Sequence, residues 1–273
     1  MLSLPRTLSA TVVAVTVAAG TAFVTPTAHA ASASNYAALG DSYSAGVGAG
    51  NYLPDSGACK RSANSYPALW NNSHPGGGFA FVACSGAKTA DVRAGQLSVL
   101  NSATTLVTIS IGGNDAGFVD TVKSCVLGSE NDCSVAVDKA KTYATTKLPA
   151  DLDATYAQIR NRAPNARLVV LGYPRLFELG GCFLGMSTYK RTILNQAADT
   201  LADITRGRAG AANADYADVR NRFAGHGVCG SNPWINGIKL PIDESYHPNG
   251  AGQSQGYLPA LQATVGATVG ARP

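Results

Sequence analysis

The sequence predicts one doubly wound α/β domain built on a parallel sheet. Three observations lead there. Apolar runs of strand length alternate with stretches of helical periodicity along the chain. The clearest run, Thr105-Leu-Val-Thr-Ile-Ser-Ile111, is β-branched and apolar almost throughout, as expected of a strand covered on both faces. Three strands each end in a small-residue loop with one polar group: Ser42, Ser85-Gly86 and Asn114. Loops at the carboxyl ends of strands are where open α/β sheets place their sites.

Residues 1–30 stand apart from this domain. Arg6 is their only charge, an apolar run covers Ala10 to Val24, and Ala28-His29-Ala30 offers small residues for cleavage. They read as a secretory signal peptide cut after Ala30, or after Ala33, which leaves residues 31–273 as the folded domain. No later segment reaches the ~18 uninterrupted apolar residues of a membrane helix, so a secreted, extracellular and monomeric protein is expected.

The domain opens with Tyr36-Ala-Ala-Leu39, a short buried strand turning at Gly40 into Asp41-Ser42. Gly46, Gly48 and Gly50 follow and free the backbone to approach a ligand. Their spacing lacks the third glycine of a dinucleotide fingerprint, so no nucleotide cofactor is expected. Residues 51–65 are polar and irregular, and Tyr66-Pro67-Ala-Leu-Trp70 opens a short helix with proline in its first turn. Phe79-Ala-Phe-Val82 is the second strand, followed by the loop 84–89 and a weakly amphipathic helix to Leu100. After the strand 105–111 comes Gly112-Gly113-Asn114-Asp115.

Helical periodicity resumes over residues 135–163, interrupted at Pro149, with Leu148, Leu152, Tyr156 and Ile159 on one stripe. Ala166–Leu171 is the fourth strand. A helix over 188–212 should bury Ile193, Ala197, Leu201 and Ile204, and Asp215–Val219 is a short fifth strand. Near the end lies Asp243-Glu244-Ser245-Tyr246-His247-Pro248. Pro248 keeps His247 out of helical backbone angles, so the imidazole sits on a loop, and Pro248 is expected to open the last helix.

Composition narrows the function. The chain is 45% hydrophobic and 14% charged with a net charge of +4, and no Lys/Arg run suggests nucleic acid as a partner. Six cysteines in an exported chain point to disulfides, and none has the C-x-x-C spacing of zinc or thiol redox sites, so no metal is expected. Fifteen pairings are open. The sequential one is expected: Cys59–Cys84, Cys125–Cys133 and Cys182–Cys229, the middle pair closing a short polar loop.

A serine hydroxyl needs a general base within hydrogen-bond reach. Outside the leader the histidines are His74, in a surface turn, His226, in a glycine-rich stretch near Cys229, and His247, flanked by carboxylates. His247 is the candidate base for Ser42. Acyl transfer also needs donors for the developing oxyanion, and the N–H of Ser42, the N–H of Gly86 and the side-chain amide of Asn114 can supply them from adjacent strand ends. Taken singly, Gly86 also reads as a turn glycine and Asn114 as a helix cap.

Four blocks, Gly40-Asp41-Ser42-Tyr43, Ser85-Gly86, Gly112-Gly113-Asn114-Asp115 and Tyr246-His247-Pro248, span most of the domain in order. With them the chain resembles the SGNH or GDSL hydrolases, in particular their secreted Streptomyces lipases and phospholipases. The resemblance implies a three-layer α/β/α sandwich of flavodoxin-like type and ester hydrolysis without a metal. It implies Ser42 as nucleophile, His247 as base, and Ser42, Gly86 and Asn114 as oxyanion hole. Tyr43 replaces the usual leucine, and Glu244 replaces the usual aspartate three residues before the histidine. Glu244 can be the third catalytic residue. Its extra methylene, however, sets the carboxylate about one bond, ~1.5 Å, too far, and the main-chain carbonyl of Ser245 can orient His247 instead. The expected activity is that of a lipase, esterase or phospholipase A on a fatty-acyl ester, with a lipid aggregate surface as partner. Two alternatives use the same sequence: a carbohydrate esterase, and a secreted binding module that keeps the fold without activity.

Overall fold

The computed structural model describes residues 1–2, 35–182 and 186–267. The leader expected over residues 1–30 therefore lies outside the described residues, save its first two. Five strands form one parallel sheet: β1 (Tyr36–Gly40), β2 (Phe79–Phe81), β3 (Leu106–Ser110), β4 (Arg167–Leu171) and β5 (Asp215–Ala217). Their order is β2-β1-β3-β4-β5, the doubly wound arrangement that the alternation of elements predicts. Every residue of β1 and β3 is buried, which explains their lack of apolar–polar alternation.

The order matters for the site. β1 lies between β2 and β3, so the loops after these three strands are neighbours along one edge. Those loops carry Ser42, Gly86 and Asn114. Gly40 makes the turn out of β1 at φ +119°, and a Cβ there would sit 2.3 Å from the Ser110 carbonyl oxygen.

Helices flank the sheet as two packed groups. In one, α4 (Phe118–Leu127), α5 (Glu130–Thr146), α6 (Leu148–Arg162) and α7 (Thr188–Ala211) pack in succession; in the other, α2 (Tyr66–Ser73) packs on α8 (Leu258–Ala267). On α6, Leu148, Leu152, Tyr156 and Ile159 are all fully buried, the stripe their spacing predicts.

Four elements differ from expectation. The segment between Cys125 and Cys133 is not a polar loop: it is the end of α4, a turn at Gly128-Ser129, and the start of α5. Ser129 caps α5, its hydroxyl accepting the Asp132 N–H at 3.2 Å while Asp132 accepts the Ser129 N–H at 2.8 Å. The buried face of α7 takes in Leu201 of the predicted stripe but extends beyond it to polar residues. Ile193, Ala197 and Ile204 are half-buried, whereas Arg191, Asn195 and Thr205 are buried. Asn195 accepts the Leu176 and Phe177 N–H groups at 3.1 Å and donates to the Phe177 carbonyl at 2.8 Å, so the polar face of α7 grips the chain after β4. The helix expected up to Leu100 breaks into α3 (Thr89–Asp91), a π turn (Val92–Gln96) and a 3-10 turn (Leu97–Val99). Finally, Pro248 pairs with Ile235 in an isolated bridge, and Asn249 caps the last helical segment, accepting the Gly252 N–H at 3.0 Å.

Disulfides join Cys59 to Cys84, Cys125 to Cys133 and Cys182 to Cys229. The first ties the loop that follows the glycines to the loop that carries Gly86. Among the described residues no helix is long and apolar enough to cross a membrane.

Candidate active site

Ser42 is the first residue of a four-residue helix, α1 (Ser42–Ala45), set on the carboxyl end of β1. Asp41 caps it, its carboxylate accepting the Tyr43 N–H at 3.0 Å. Side-chain amides fix both ends of this strand–helix joint. Gln96 accepts the Gly40 N–H at 2.7 Å and donates to the Gly40 carbonyl at 2.9 Å. Gln253 donates to the Tyr43 carbonyl at 3.1 Å and accepts the Tyr66 N–H at 2.9 Å. The hydroxyl at position 42 is thus held by polar groups from both helical layers.

His247 comes to it from the far end of the chain. Its Nε2 lies 2.8 Å from Ser42 Oγ, and both residues are buried. Its Nδ1 lies 3.0 Å from the Ser245 carbonyl oxygen. A carbonyl can only accept, so Nδ1 carries the proton and Nε2 presents its lone pair to the serine hydroxyl. The chain reverses between the two groups at Tyr246, which has φ +59° and whose carbonyl accepts the Tyr43 hydroxyl at 2.8 Å. Burial pulls the His247 pKa down to about 4, against the opposing effects of Ser245, Asp243 and Glu244. At neutral pH the imidazole is therefore uncharged, the form that can take a proton.

Glu244 does not face the histidine. One carboxylate oxygen accepts the Tyr52 hydroxyl at 2.8 Å, and the other lies 2.9 Å from Lys239 Nζ. Burial alone would raise its pKa, but these donors outweigh burial and hold it below the usual range. Of the two arrangements open to the sequence, the geometry brings His247 Nδ1 to the Ser245 carbonyl, while both Glu244 oxygens are engaged by Tyr52 and Lys239. Tyr52 also accepts the Gly48 N–H at 2.9 Å, so Glu244 ties the His247 segment to the glycine loop. Gly48 is required there, because a Cβ would lie 2.6 Å from Asn236 Nδ2 and 3.0 Å from His247 Cβ.

The loops after β2 and β3 are joined to each other. Asn114 donates to the Ala87 carbonyl at 3.0 Å, and Asp115 accepts the Thr89 hydroxyl at 2.6 Å. Gly86, at φ +79°, is exposed, and its N–H meets no acceptor among the described residues. His74 stacks on Trp70 with ring centres 3.9 Å apart, and His226 on Trp234 at 3.7 Å. Neither approaches Ser42.

Ser42 and Asn114 line a common cavity with Tyr43, Phe118, Val122, Leu176, Leu194 and Leu201. Its walls are mostly apolar side chains of α4, α5, α7 and the chain after β4. An arrangement of this kind can hold an apolar acyl chain while its carbonyl carbon meets Ser42 Oγ.

Sequence reasoning gave no role to Tyr173, Ser110 or Gln96, nor to the carboxylate of Asp41. A lone glutamine among apolar residues, as at Gln96, is the available signal; Tyr173 offers none.

A model of the family described as "GDSL-like Lipase/Acylhydrolase family" matches residues 38–255. A lipase of Streptomyces rimosus is 52% identical over 234 residues, which cover 85% of this chain and 87% of the relative. Lipase 1 of Streptomyces coelicolor is 49% identical over 259 residues, covering 94% and 97%. Among solved structures, the S. rimosus extracellular lipase superposes with a TM-score of 0.84 over 85% of this chain and all of that one, at 52% identity. Phospholipase A1 of Streptomyces albidoflavus follows at 0.83 and 48% identity, over 85% of this chain and 99% of that one.

Proposed function

This chain belongs to the GDSL-like lipase/acylhydrolase family and is a carboxylic ester hydrolase, and we propose that it cleaves fatty-acyl esters through an acyl-enzyme on Ser42. One observation carries the reading: Ser42 Oγ stands 2.8 Å from the unprotonated nitrogen of His247, beside an apolar cavity. His247 Nε2 takes the hydroxyl proton as Oγ bonds to the ester carbonyl carbon. The carbonyl electrons move onto oxygen, where the N–H groups of Ser42 and Gly86 and the Asn114 amide stabilise the charge. As the carbonyl re-forms, the bond to the alcohol breaks and His247 returns the proton to the leaving oxygen. Water, deprotonated by the same nitrogen, then attacks the acyl carbon; the bond to Ser42 Oγ breaks, His247 returns the proton to Oγ, and the acid leaves. The Ser245 carbonyl stabilises the imidazolium formed in each half, in place of a carboxylate.

The many apolar side chains that line the cavity favour a fatty-acyl chain. An acetyl ester of a polysaccharide would use room for a single methyl and leave the rest empty. The named relatives, a lipase and a phospholipase A1, suggest a glyceride or a phospholipid as substrate. Three disulfides support an exported, extracellular protein, with residues 1–30 as its leader and residues 31–273 as the catalytic domain.

The test is a panel of p-nitrophenyl esters from acetyl to palmitoyl, run beside phosphatidylcholine, on the parent, Ser42→Ala and Asn114→Ala. Esters longer than acetyl should be preferred. Ser42→Ala should lose nearly all activity and escape labelling by an organophosphonate. Asn114→Ala should lose about 10²–10³ in turnover, the usual effect of one oxyanion donor. Stoichiometric labelling of Ser42→Ala would overturn the nucleophile, and a strict preference for acetyl esters would overturn the substrate class.

A further inference from the structure

The segment that carries His247 does a second thing. From Ile235 the chain runs outward and returns to Pro248, and the two residues pair in an antiparallel bridge. The base is closed by Asn236 N–H to the His247 carbonyl and Tyr246 N–H to the Asn236 carbonyl, both 2.9 Å. Midway, the Ser245 hydroxyl accepts the Lys239 N–H at 2.9 Å and donates to the Lys239 carbonyl at 3.2 Å. Around and beyond this clamp the excursion ends in an exposed tip at 238–243.

That tip is apolar and unburied. Ile238, Leu240 and Ile242 are 68%, 84% and 64% exposed. Other exposed aliphatic side chains of the domain, such as Leu127 on α4 and Val135 on α5, are not clustered within a few residues of sequence. Three within five residues at the end of an excursion form a patch, and such patches mark interaction sites.

We propose that this tip inserts into a phospholipid surface and thereby holds the active site against it. The inference rests on the lipid-ester reading given above. Charge favours this occupant. The acidic side chains at and beside the tip are each paired with a lysine, Asp243 with Lys60 and Glu244 with Lys239, so neither stands as a free carboxylate against lipid phosphates. The chain as a whole carries a net charge of +4. Geometry favours it as well. The carbonyl that orients His247 belongs to Ser245, whose hydroxyl forms the clamp beneath the tip. A tip lodged among lipid headgroups is thus joined to the imidazole through Ser245, and to Ser42 through the imidazole.

The test is co-sedimentation with vesicles of phosphatidylcholine and phosphatidylglycerol, in a Ser42→Ala background that leaves the lipid intact. The single variant should sediment with the vesicles. Adding Ile238→Ser, Leu240→Ser and Ile242→Ser should cut the bound fraction more than tenfold. With Ser42 restored, the triple variant should keep kcat/KM on dissolved p-nitrophenyl butyrate within about twofold while losing more than tenfold on vesicle substrate. Leu240→Trp should show a blue shift in emission on vesicle addition, which needs no loss of activity to read. Equal losses on dissolved and vesicle substrates would overturn the proposal, since the tip would then only brace His247. So would an unshifted tryptophan, or a dimer in sedimentation velocity that the triple variant dissociates. Vesicle binding by a protein that hydrolyses no lipid would uphold the surface and sink the substrate reading instead.

Discussion

Tyr173 donates its hydroxyl proton to the buried carboxylate of Asp41 and accepts the Gly113 N–H at 3.3 Å. Asp41 precedes Ser42, and Gly113 precedes Asn114, so one phenol joins the loop of Ser42 to the loop of Asn114. Asp41 further accepts the Ser110 hydroxyl at 2.7 Å and the Tyr43 N–H at 3.0 Å. Even so, burial dominates and pushes its pKa up to about 6.

Removing the phenol oxygen tests this joint. Tyr173→Phe keeps the ring, which packs edge-on against Tyr43 at 5.0 Å, but leaves a buried carboxylate and a buried N–H each short of a partner. The expected loss is about 1–3 kcal/mol of stability, read from urea unfolding, together with a lower kcat at little-changed KM. Unchanged stability would show that Asp41 does not depend on the tyrosine.

Stability and pH are linked through two groups of opposite sign. Asp41 titrates near 6 when folded and near 3.8 when unfolded. Between these values the folded chain holds the proton, so this group's contribution falls as pH rises. His247 titrates near 4 when folded and near 6.5 when unfolded. Between these values the unfolded chain holds the proton, so its contribution grows as pH rises. From about pH 4 to 6 the two oppose each other. His247→Asn removes one, and its melting temperature should fall from pH 4 to 6 relative to the parent, measured at three pH values by calorimetry.

Activity should follow His247 alone on the acid side. The imidazole must be neutral to accept the Ser42 proton, so kcat/KM should rise through about pH 4 and level off above it. A dissolved ester assayed from pH 3.5 upward reads this directly. A midpoint near 6.5 would mean that the imidazole is solvated as an ordinary histidine.

Glu244→Gln separates a tether from a catalytic acid. Glutamine keeps an acceptor for Tyr52 and loses the ion pair to Lys239. Turnover should drop less than about tenfold, whereas loss of a true triad carboxylate costs about 10⁴. A loss above a thousandfold, with circular dichroism unchanged, would reassign the residue.

Much of this was legible in the primary structure, for identifiable reasons. β1 and β3 are buried on both faces and so are written in small, apolar or β-branched residues, and Pro248 marks the loop of His247. The polar faces were not legible. Arg191, Asn195 and Thr205 line the inner side of α7 because they bind backbone there, and hydropathy turns the helix away from them. α4 was hidden because Gly117, at φ +78°, and Gly128 bracket ten residues between two loops. Glu244 occupied the position of an acid without its geometry. Only side-chain placement shows that Tyr52 and Lys239 engage it.

The two partners of the central hydrogen bond stand 205 residues apart, and Gln253 must also dock before α1 is held from both sides. A chain still emerging from the ribosome carries the hydroxyl long before it carries the imidazole. Under the proposed mechanism, hydrolytic competence therefore waits until residue 247 has been made and has docked on Ser42. A fragment cut anywhere before residue 247, however well its sheet has formed, lacks the imidazole that the proposed proton transfer requires.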